Sequence, residues 1–196
     1  MKLLPEKIED QRLLLIIISA ALIIRLIYVL EILNVPFSKF LYSDPKLYYD
    51  FASSLFTSEF WSGNDPFILS PIYPIILSLF QFISDKNNFA IYIFQAFLGT
   101  GIILIIYRAA RNLFDASTAM IAAIGAAFFD AYIFYAGLVT YETIEIFLAS
   151  LLIYFISYAY KRSVNKDLFL TGIILGLLIL LRESYIFFTL VFLVYI

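Results

Sequence analysis

The stretch LLLIIISAALIIRLIYVLEIL, residues 13–33, decides the fold class of this chain. It is 21 residues long, and a helix needs about 20 predominantly apolar residues to cross the hydrocarbon core of a bilayer. The whole chain has the same character, since 63% of its 196 residues are hydrophobic and 14% are charged, against about 45–50% and 25% in soluble domains. The sequence therefore predicts an integral membrane protein. Residues 13–33 are too long for a signal peptide and lack a small-residue cleavage site, so we expect a retained helix.

The chain contains no cysteine and no histidine. Disulfides, thiolate nucleophiles and imidazole acid–base groups are therefore excluded, and any proton transfer falls to Asp, Glu, Lys or Tyr. Zinc sites draw mostly on Cys and His, so a metal here would be an ion that prefers oxygen ligands, such as Mg²⁺, Ca²⁺ or Mn²⁺. The basic residues are scattered and form no stripe, so nothing indicates a nucleic-acid partner.

Apolar runs of similar length recur along the chain. We predict an all-α, polytopic membrane helix bundle with spans at about residues 13–33, 89–107, 117–138, 142–160 and 168–181, and an incomplete span at 185–196. The run at 71–83 has only 13 residues and contains two prolines, so we interpret it as an interfacial, juxtamembrane helix.

The distribution of basic residues favours one orientation in the membrane. With the amino terminus in the cytoplasm, eight of the 13 Lys and Arg residues fall on the cytoplasmic side. The loop at 34–88 then faces outward, and its many aromatic side chains, Trp61 among them, are typical of a segment at headgroup level. Residues 63–66 predict a turn between two interfacial helices in this loop. A bacterial inner membrane and the endoplasmic reticulum membrane both satisfy this topology.

The first candidate site lies in the outward loop, where Asp44 and Tyr48 are four residues apart. On a short helix these two side chains would share one face. Leu47, Phe51 and Leu55 would form an apolar stripe suited to a membrane surface. The segment therefore predicts an acid and an aromatic ring presented together at the outer membrane interface.

The second candidate site opens the span at 142–160. Thr140 is a candidate N-cap, and Glu142 in the first helical turn is either a dipole-stabilising cap or a site residue. Glu145 lies one turn deeper and needs protein or a wet cavity around it, because a carboxylate in hydrocarbon is costly. Together with Asp44, these acids predict a shared acidic cavity. Asp130 is either a partner in that cavity or a buried, hydrogen-bonded acid of the bundle.

Two arginines are the basic counterparts of these acids. Arg25 lies inside the first span, which predicts a buried pair with an acid. Arg182 ends the run at 168–181 on the outer side. It is either an interfacial anchor beside Glu183 or a contact for an anionic headgroup.

Further motifs accompany these residues in a characteristic order. They are Ser70-Pro71-Ile72-Tyr73-Pro74 after the Asp44 and Tyr48 segment, Asn88-Phe89-Ala90, the stretch YRAARNLF at 107–114, Glu142 before Phe147-Leu148, and residues 172–181 ending at Arg182. In order and spacing they resemble the amino-terminal half of the polyprenyl-phosphate-sugar-dependent glycosyltransferases. This superfamily includes the protein O-mannosyltransferases and the bacterial lipid A aminoarabinose transferase. The resemblance runs from about residue 13 to residue 196.

The resemblance implies transfer of a sugar from a polyprenyl phosphate carrier in the membrane lipid to an acceptor on the outer side. Asp44 matches the first-loop acid that serves as, or supports, the general base, and Glu142 matches the second-loop acid. Inversion at an anomeric carbon needs such a carboxylate opposite the leaving group. We expect Tyr48, Arg182 and Glu145 to bind the donor, with Arg182 facing its phosphate. A divalent metal ion accompanies some relatives, but the chemistry does not demand one, and no metal ligands are assigned.

Two other functions stay open. A non-catalytic membrane subunit that binds a lipid-linked sugar would carry the same acids, and a transporter or flippase would line a path with Arg25, Asp130 and Glu145. Transporters show inverted repeats and broken helices, and no internal symmetry is visible here. Pro45 stands where many relatives carry a second acid, and the chain ends within a predicted helix. We therefore expect a fragment or a split gene product. In a non-catalytic subunit, the end of the chain would be an interface that another protein chain completes.

Overall fold

The computed structural model describes residues 3–35, 40–55, 69–85, 87–162 and 165–189. These ranges contain helices and no strand, which confirms the predicted all-α helix bundle. Residues 56–68, with Trp61 and the predicted turn at 63–66, lie outside the described residues, as do residues 190–196 of the predicted last span. The helices are α1 (Leu3–Asn34), α2 (Asp44–Ser54), α3 (Ile72–Ile83), α4 (Phe89–Leu113), α5 (Ala116–Phe128), α6 (Asp130–Phe134), α7 (Glu142–Arg162) and α8 (Asn165–Leu181), with 3₁₀ turns at Tyr135–Gly137 and Glu183–Tyr185.

Within the described ranges, three helices are long and apolar enough to cross a membrane: Asp10–Asn34, Phe89–Leu113 and Glu142–Ala159. A fourth crossing is available if Ala116–Phe128 and Asp130–Gly137, which are bent by 52° relative to each other, form one broken span. Helix α3 and Leu168–Leu181 are shorter apolar helices. The chain is an integral membrane protein, but residues 117–138, predicted as one span, do not form a single straight helix.

The break in this segment lies at Phe129, whose backbone is extended with φ −68° and ψ 117°. Carbonyl groups in the last turn of a helix have no intrahelical partner, so the end of α5 needs donors from elsewhere. Arg25 of α1 is fully buried and supplies a hydrogen-bond donor to this helix end. Its Nη1 donates to the Ala127 carbonyl at 3.3 Å and to the Ala21 carbonyl of its own helix at 3.1 Å.

Arg25 and Asp130 differ from their predicted roles. The partners of Arg25 in the described part of the chain are carbonyl oxygens and not an acid, and its Nε and Nη2 have no hydrogen-bond partner there. Asp130 is exposed and not buried, because it begins α6 at the break, where the helix dipole favours a carboxylate. Its Oδ1 accepts a hydrogen bond from the Ala131 amide at 2.8 Å.

Helix α4 is central to the bundle and packs against α1, α5 and α7, while α7 packs against α8. Small side chains of α5 allow a close approach to α1 and α4, as is typical where lipid removes the hydrophobic drive between helices. Large apolar side chains on the outer surface, such as Ile121 and Phe169, are exposed and suit a lipid environment. Helix α2 packs on α3, beside the carboxyl-terminal end of α1.

Gly137 lies at a close approach between the Tyr135–Gly137 turn and α1. A Cβ atom at this position would lie 2.7 Å from Cε1 of Tyr28 and 3.2 Å from Cδ1 of Ile32. The first distance is shorter than real Cβ contacts, so a larger residue would push the turn away from α1.

We predict that Gly137→Ala lowers the free energy of unfolding by about 1–3 kcal/mol, the range for overpacking a filled site. Gly125→Ala is the matched control, because a Cβ there meets nothing within 4 Å. That substitution in a helix is expected to gain about 0.5–1 kcal/mol. Thermal unfolding of the detergent-solubilised protein measures both, and equal midpoints for the two variants would contradict the tight contact at Gly137.

Candidate functional site

Three aromatic rings join the outward loop to the start of α7. Tyr48 of α2 is buried between Tyr73 of α3 and Tyr141, which directly precedes α7. Its ring centroid lies 5.2 Å from that of Tyr73 and 5.9 Å from that of Tyr141, and both pairs are edge to face. Such pairs are favourable beyond the area they bury. The predicted interfacial segment is therefore a helix anchored by Tyr48 at the mouth of α7.

Asp44 is the first residue of α2 and is exposed, while Tyr48 on the same helix is buried. The preceding Ser43 has φ 55° and ψ −134°, a conformation that residues with side chains rarely adopt. The Ser43 hydroxyl does not cap the helix and donates to Oδ1 of Asp44 at 3.3 Å. The Asp44 carboxylate is thus exposed at the start of α2.

Several polar atoms at the start of α7 are buried without hydrogen-bond partners among the described residues. Glu142 begins the helix, and its Oε2 is buried with no hydrogen-bond partner among the described residues. The hydroxyl groups of Thr140 and Thr143 are also buried and unpartnered there, so Thr140 does not act as the predicted N-cap. A buried polar atom left unpaired costs free energy, and such an atom in a native structure often marks a site for a ligand or water.

Glu145, in the first turn of α7, and Arg182, which directly follows α8, form an ion pair. Nη1 of Arg182 lies 3.2 Å from Oε1 of Glu145. The Glu145 side chain is only 10% exposed, whereas that of Arg182 is 52% exposed. Glu145 raises the pKa of the Arg182 guanidinium. The pKa of the Tyr185 phenol is raised to about 12, first by burial and then by Glu145, to which it is hydrogen bonded. The buried carboxylate is thus neutralised, and the guanidinium keeps a side open to solvent.

Burial and neighbouring charges both change the pKa of the two central phenols, Tyr48 and Tyr141. Burial raises the pKa of the Tyr48 phenol, and Tyr141, Glu142 and Asp44 raise it further. Burial also raises the pKa of Tyr141, Arg182 opposes that effect, and the three acids add to it. Tyr48 packs on Tyr141, which directly precedes Glu142, and Asp44 lies one turn before Tyr48 on α2. Glu145 lies one turn further along α7 and pairs with Arg182. The segments that carry the five predicted site residues therefore meet at the start of α7.

Several residues of this region were missed by sequence reasoning. Tyr141 and Tyr185 stand next to assigned residues and could have been found by that proximity. The hydroxyl of Ser70 donates to the Leu180 carbonyl and ties the start of α3 to the end of α8. Gln95, a polar residue inside an apolar span, was the clearest signal that was overlooked.

No group of three or more Asp and Glu side chains that could hold a metal ion occurs among the described residues. Asp44 and Glu142 are the acids of the cluster that Arg182 does not neutralise. Two carboxylates, one of them on the exposed end of α2, do not by themselves make a site for a resident ion.

The unequal burial of Glu145 and Arg182 yields a stability prediction. Arg182→Gln is expected to cost about 1–3 kcal/mol of unfolding free energy, because it leaves a buried carboxylate without its cation. Glu145→Gln is expected to cost under about 1 kcal/mol, because water solvates the half-exposed guanidinium. In the double variant the two costs should not add. Thermal unfolding in detergent compares the variants, and equal costs for the two single changes would contradict this assignment.

Comparison with known protein families finds a match. Residues 66–196, well over half of its length, match the family described as dolichyl-phosphate-mannose-protein mannosyltransferase. The match includes Glu142, Glu145 and Arg182, while Asp44 and Tyr48 precede it. Comparison with curated proteins finds no match, and comparison with solved structures finds none either. Members of the matched family are membrane glycosyltransferases that use polyprenyl-phosphate-linked sugars. The chain belongs to the dolichyl-phosphate-mannose-protein mannosyltransferase family.

Proposed function

We propose that this protein transfers a sugar from a polyprenyl phosphate to an acceptor hydroxyl on the outer side of the membrane, with inversion at the anomeric carbon and Asp44 as the general base. The supporting observation is the arrangement at the start of α7, where the half-exposed Arg182 pairs with Glu145 and Glu142 has a buried, unpartnered oxygen. Helix α2, which carries the exposed Asp44, packs there through Tyr48 on Tyr141. Inverting transfer needs a base on one side of the sugar and stabilisation of the leaving group on the other. The cluster offers both kinds of group.

In the proposed reaction the acceptor oxygen attacks the anomeric carbon and gives its proton to the Asp44 carboxylate. The bond between the anomeric carbon and the phosphate oxygen breaks, and the electron pair leaves with the polyprenyl phosphate. This leaving group is already ionised, so it needs a cation and not a proton. Arg182 supplies the cation, because its guanidinium is 52% exposed and carries donors beyond the Nη1 that meets Glu145.

Glu142 has a separate role in this proposal. Its buried Oε2 lacks a hydrogen-bond donor in the described part of the chain. A hydroxyl group of the sugar or of the acceptor would satisfy this oxygen and remove the cost of leaving it unpaired. Glu142 would thereby orient the substrate, while the more accessible Asp44 takes the proton.

One observation bears on the transporter alternative. The pair α5 and α6 is a broken helix, a feature common in transporters, and Arg25 lies at the break. However, the Arg25 side chain is fully buried, so it lines no open path in this conformation. Asp130 is exposed at the start of α6 and does not join Arg25. The acidic cluster at the outer end therefore favours the transferase.

The test is sugar transfer by the purified full chain in membranes that contain labelled polyprenyl-phosphate sugars. Asp44→Asn keeps the size of the side chain and removes its basic carboxylate, so transfer should fall by about 10²-fold or more. Asp50→Asn is the matched control, since Asp50 is also an exposed acid on α2. It should transfer at the wild-type rate.

Three outcomes would speak against the proposal. Wild-type rates in Asp44→Asn would remove Asp44 as the base. Equal losses in Asp44→Asn and Asp50→Asn would indicate damage to α2 and not to chemistry. Donor binding without transfer in the unaltered protein would favour a non-catalytic, lipid-linked-sugar-binding subunit.

A further inference from the structure

Gln95 is a fully buried polar residue in the second turn of the apolar helix α4. Its side-chain Nε2 donates to the carbonyl oxygens of Tyr135 and Ala136, both at 3.2 Å, and of Leu138 at 2.7 Å. Its Oε1 accepts a hydrogen bond from the Tyr73 hydroxyl at 3.1 Å. A polar group inside a membrane span is costly and is retained when it has a specific task. These hydrogen bonds connect the turn that precedes α7 with Tyr73, which packs on α2.

On one side Gln95 holds the turn that leads into α7. Tyr135 and Ala136 belong to the 3₁₀ turn after α6, and Leu138 follows it. The two N–H groups of the Gln95 amide are shared among these three carbonyls, and the contact with Leu138 is the shortest. The Tyr135 carbonyl also accepts a hydrogen bond from the Leu138 amide at 3.3 Å. Only three residues separate Leu138 from Glu142. The position of the turn therefore sets the position of Glu142.

On the other side Gln95 reaches α2 through Tyr73. The Tyr73 side chain is fully buried, and its ring packs edge to face on Tyr48. Tyr48 lies one helical turn after Asp44 on α2. The hydrogen bond between Tyr73 and Gln95 thus links the helix that carries Asp44 to the turn that precedes Glu142.

We propose that Gln95 and Tyr73 are positioning residues that set the spacing of Asp44 and Glu142. Neither residue needs to touch the substrate, because each acts through the segments it holds. The catalytic meaning of this spacing rests on the proposed function, whereas the geometric claim does not. Proton transfer and substrate orientation demand placement within about 0.5 Å, and a misplacement of about 1 Å costs on the order of 10²-fold in rate.

The geometric claim can be tested without any assay of transfer. The chain has no cysteine, so a single Val139→Cys reports on the turn, and Val139 is only 1% exposed. In this background Gln95→Leu removes the amide, and Tyr73→Phe removes one hydroxyl while keeping the ring on Tyr48. Labelling by a water-soluble maleimide in folded protein should become faster by about tenfold in Gln95→Leu, and by less in Tyr73→Phe.

Thr100→Val is the matched control for this experiment. Thr100 is also buried on α4, but its hydroxyl donates to the Ala96 carbonyl of the same helix at 2.8 Å. Its substitution removes a buried hydrogen bond without releasing the turn, so the labelling rate should not change. Unchanged labelling in Gln95→Leu, or equal acceleration in Thr100→Val, would overturn the proposal.

The kinetic consequence is measured on the same variants without the added cysteine. Gln95→Leu and Tyr73→Phe should lower kcat while KM for the polyprenyl-phosphate sugar stays near the wild-type value, and Thr100→Val should change neither. A loss of transfer in Gln95→Leu together with wild-type labelling would also overturn the positioning role. If the unaltered protein transfers no sugar, the proposed function fails, and the labelling result still decides whether Gln95 positions the turn.

Discussion

Lipid cannot hydrogen-bond a free carbonyl group, and this constraint governs the segment where the bundle departs from straight helices. The chain breaks at Phe129 and turns again at Tyr135–Gly137. Arg25 and Gln95 supply donors to the carbonyls on either side of α6. Each buried side chain is itself costly without partners, so the broken segment and its donors stabilise each other.

The break has a consequence for the site. The chain changes direction after α5, and Glu142 begins α7 directly after Tyr141, which packs against Tyr48 of α2. Arg182 directly follows α8 at the same end of the bundle and forms an ion pair with Glu145. Residues that are far apart along the chain thus meet through aromatic packing and one ion pair, and not through a continuous loop.

The charged groups of the site differ in burial and in pairing. Glu145 is buried and neutralised by Arg182, while Asp44 is exposed and Glu142 keeps an unpartnered oxygen. This division agrees with membership of a sugar-transferring family.

The sequence by itself determined the membrane class, the helical architecture, and the chemistry available without Cys or His, because these follow from composition and apolar run length. It also indicated Asp44, Glu142 and Arg182, since charged residues at span ends are conspicuous. Only the tertiary structure decided that the segment at 117–138 breaks at Phe129, because that position is neither proline nor glycine. It also decided that Arg25 donates to carbonyl oxygens and does not pair with an acid. The role of Gln95 was likewise decided there, because hydrogen bonds across 40 or more residues depend on packing that local patterns do not encode.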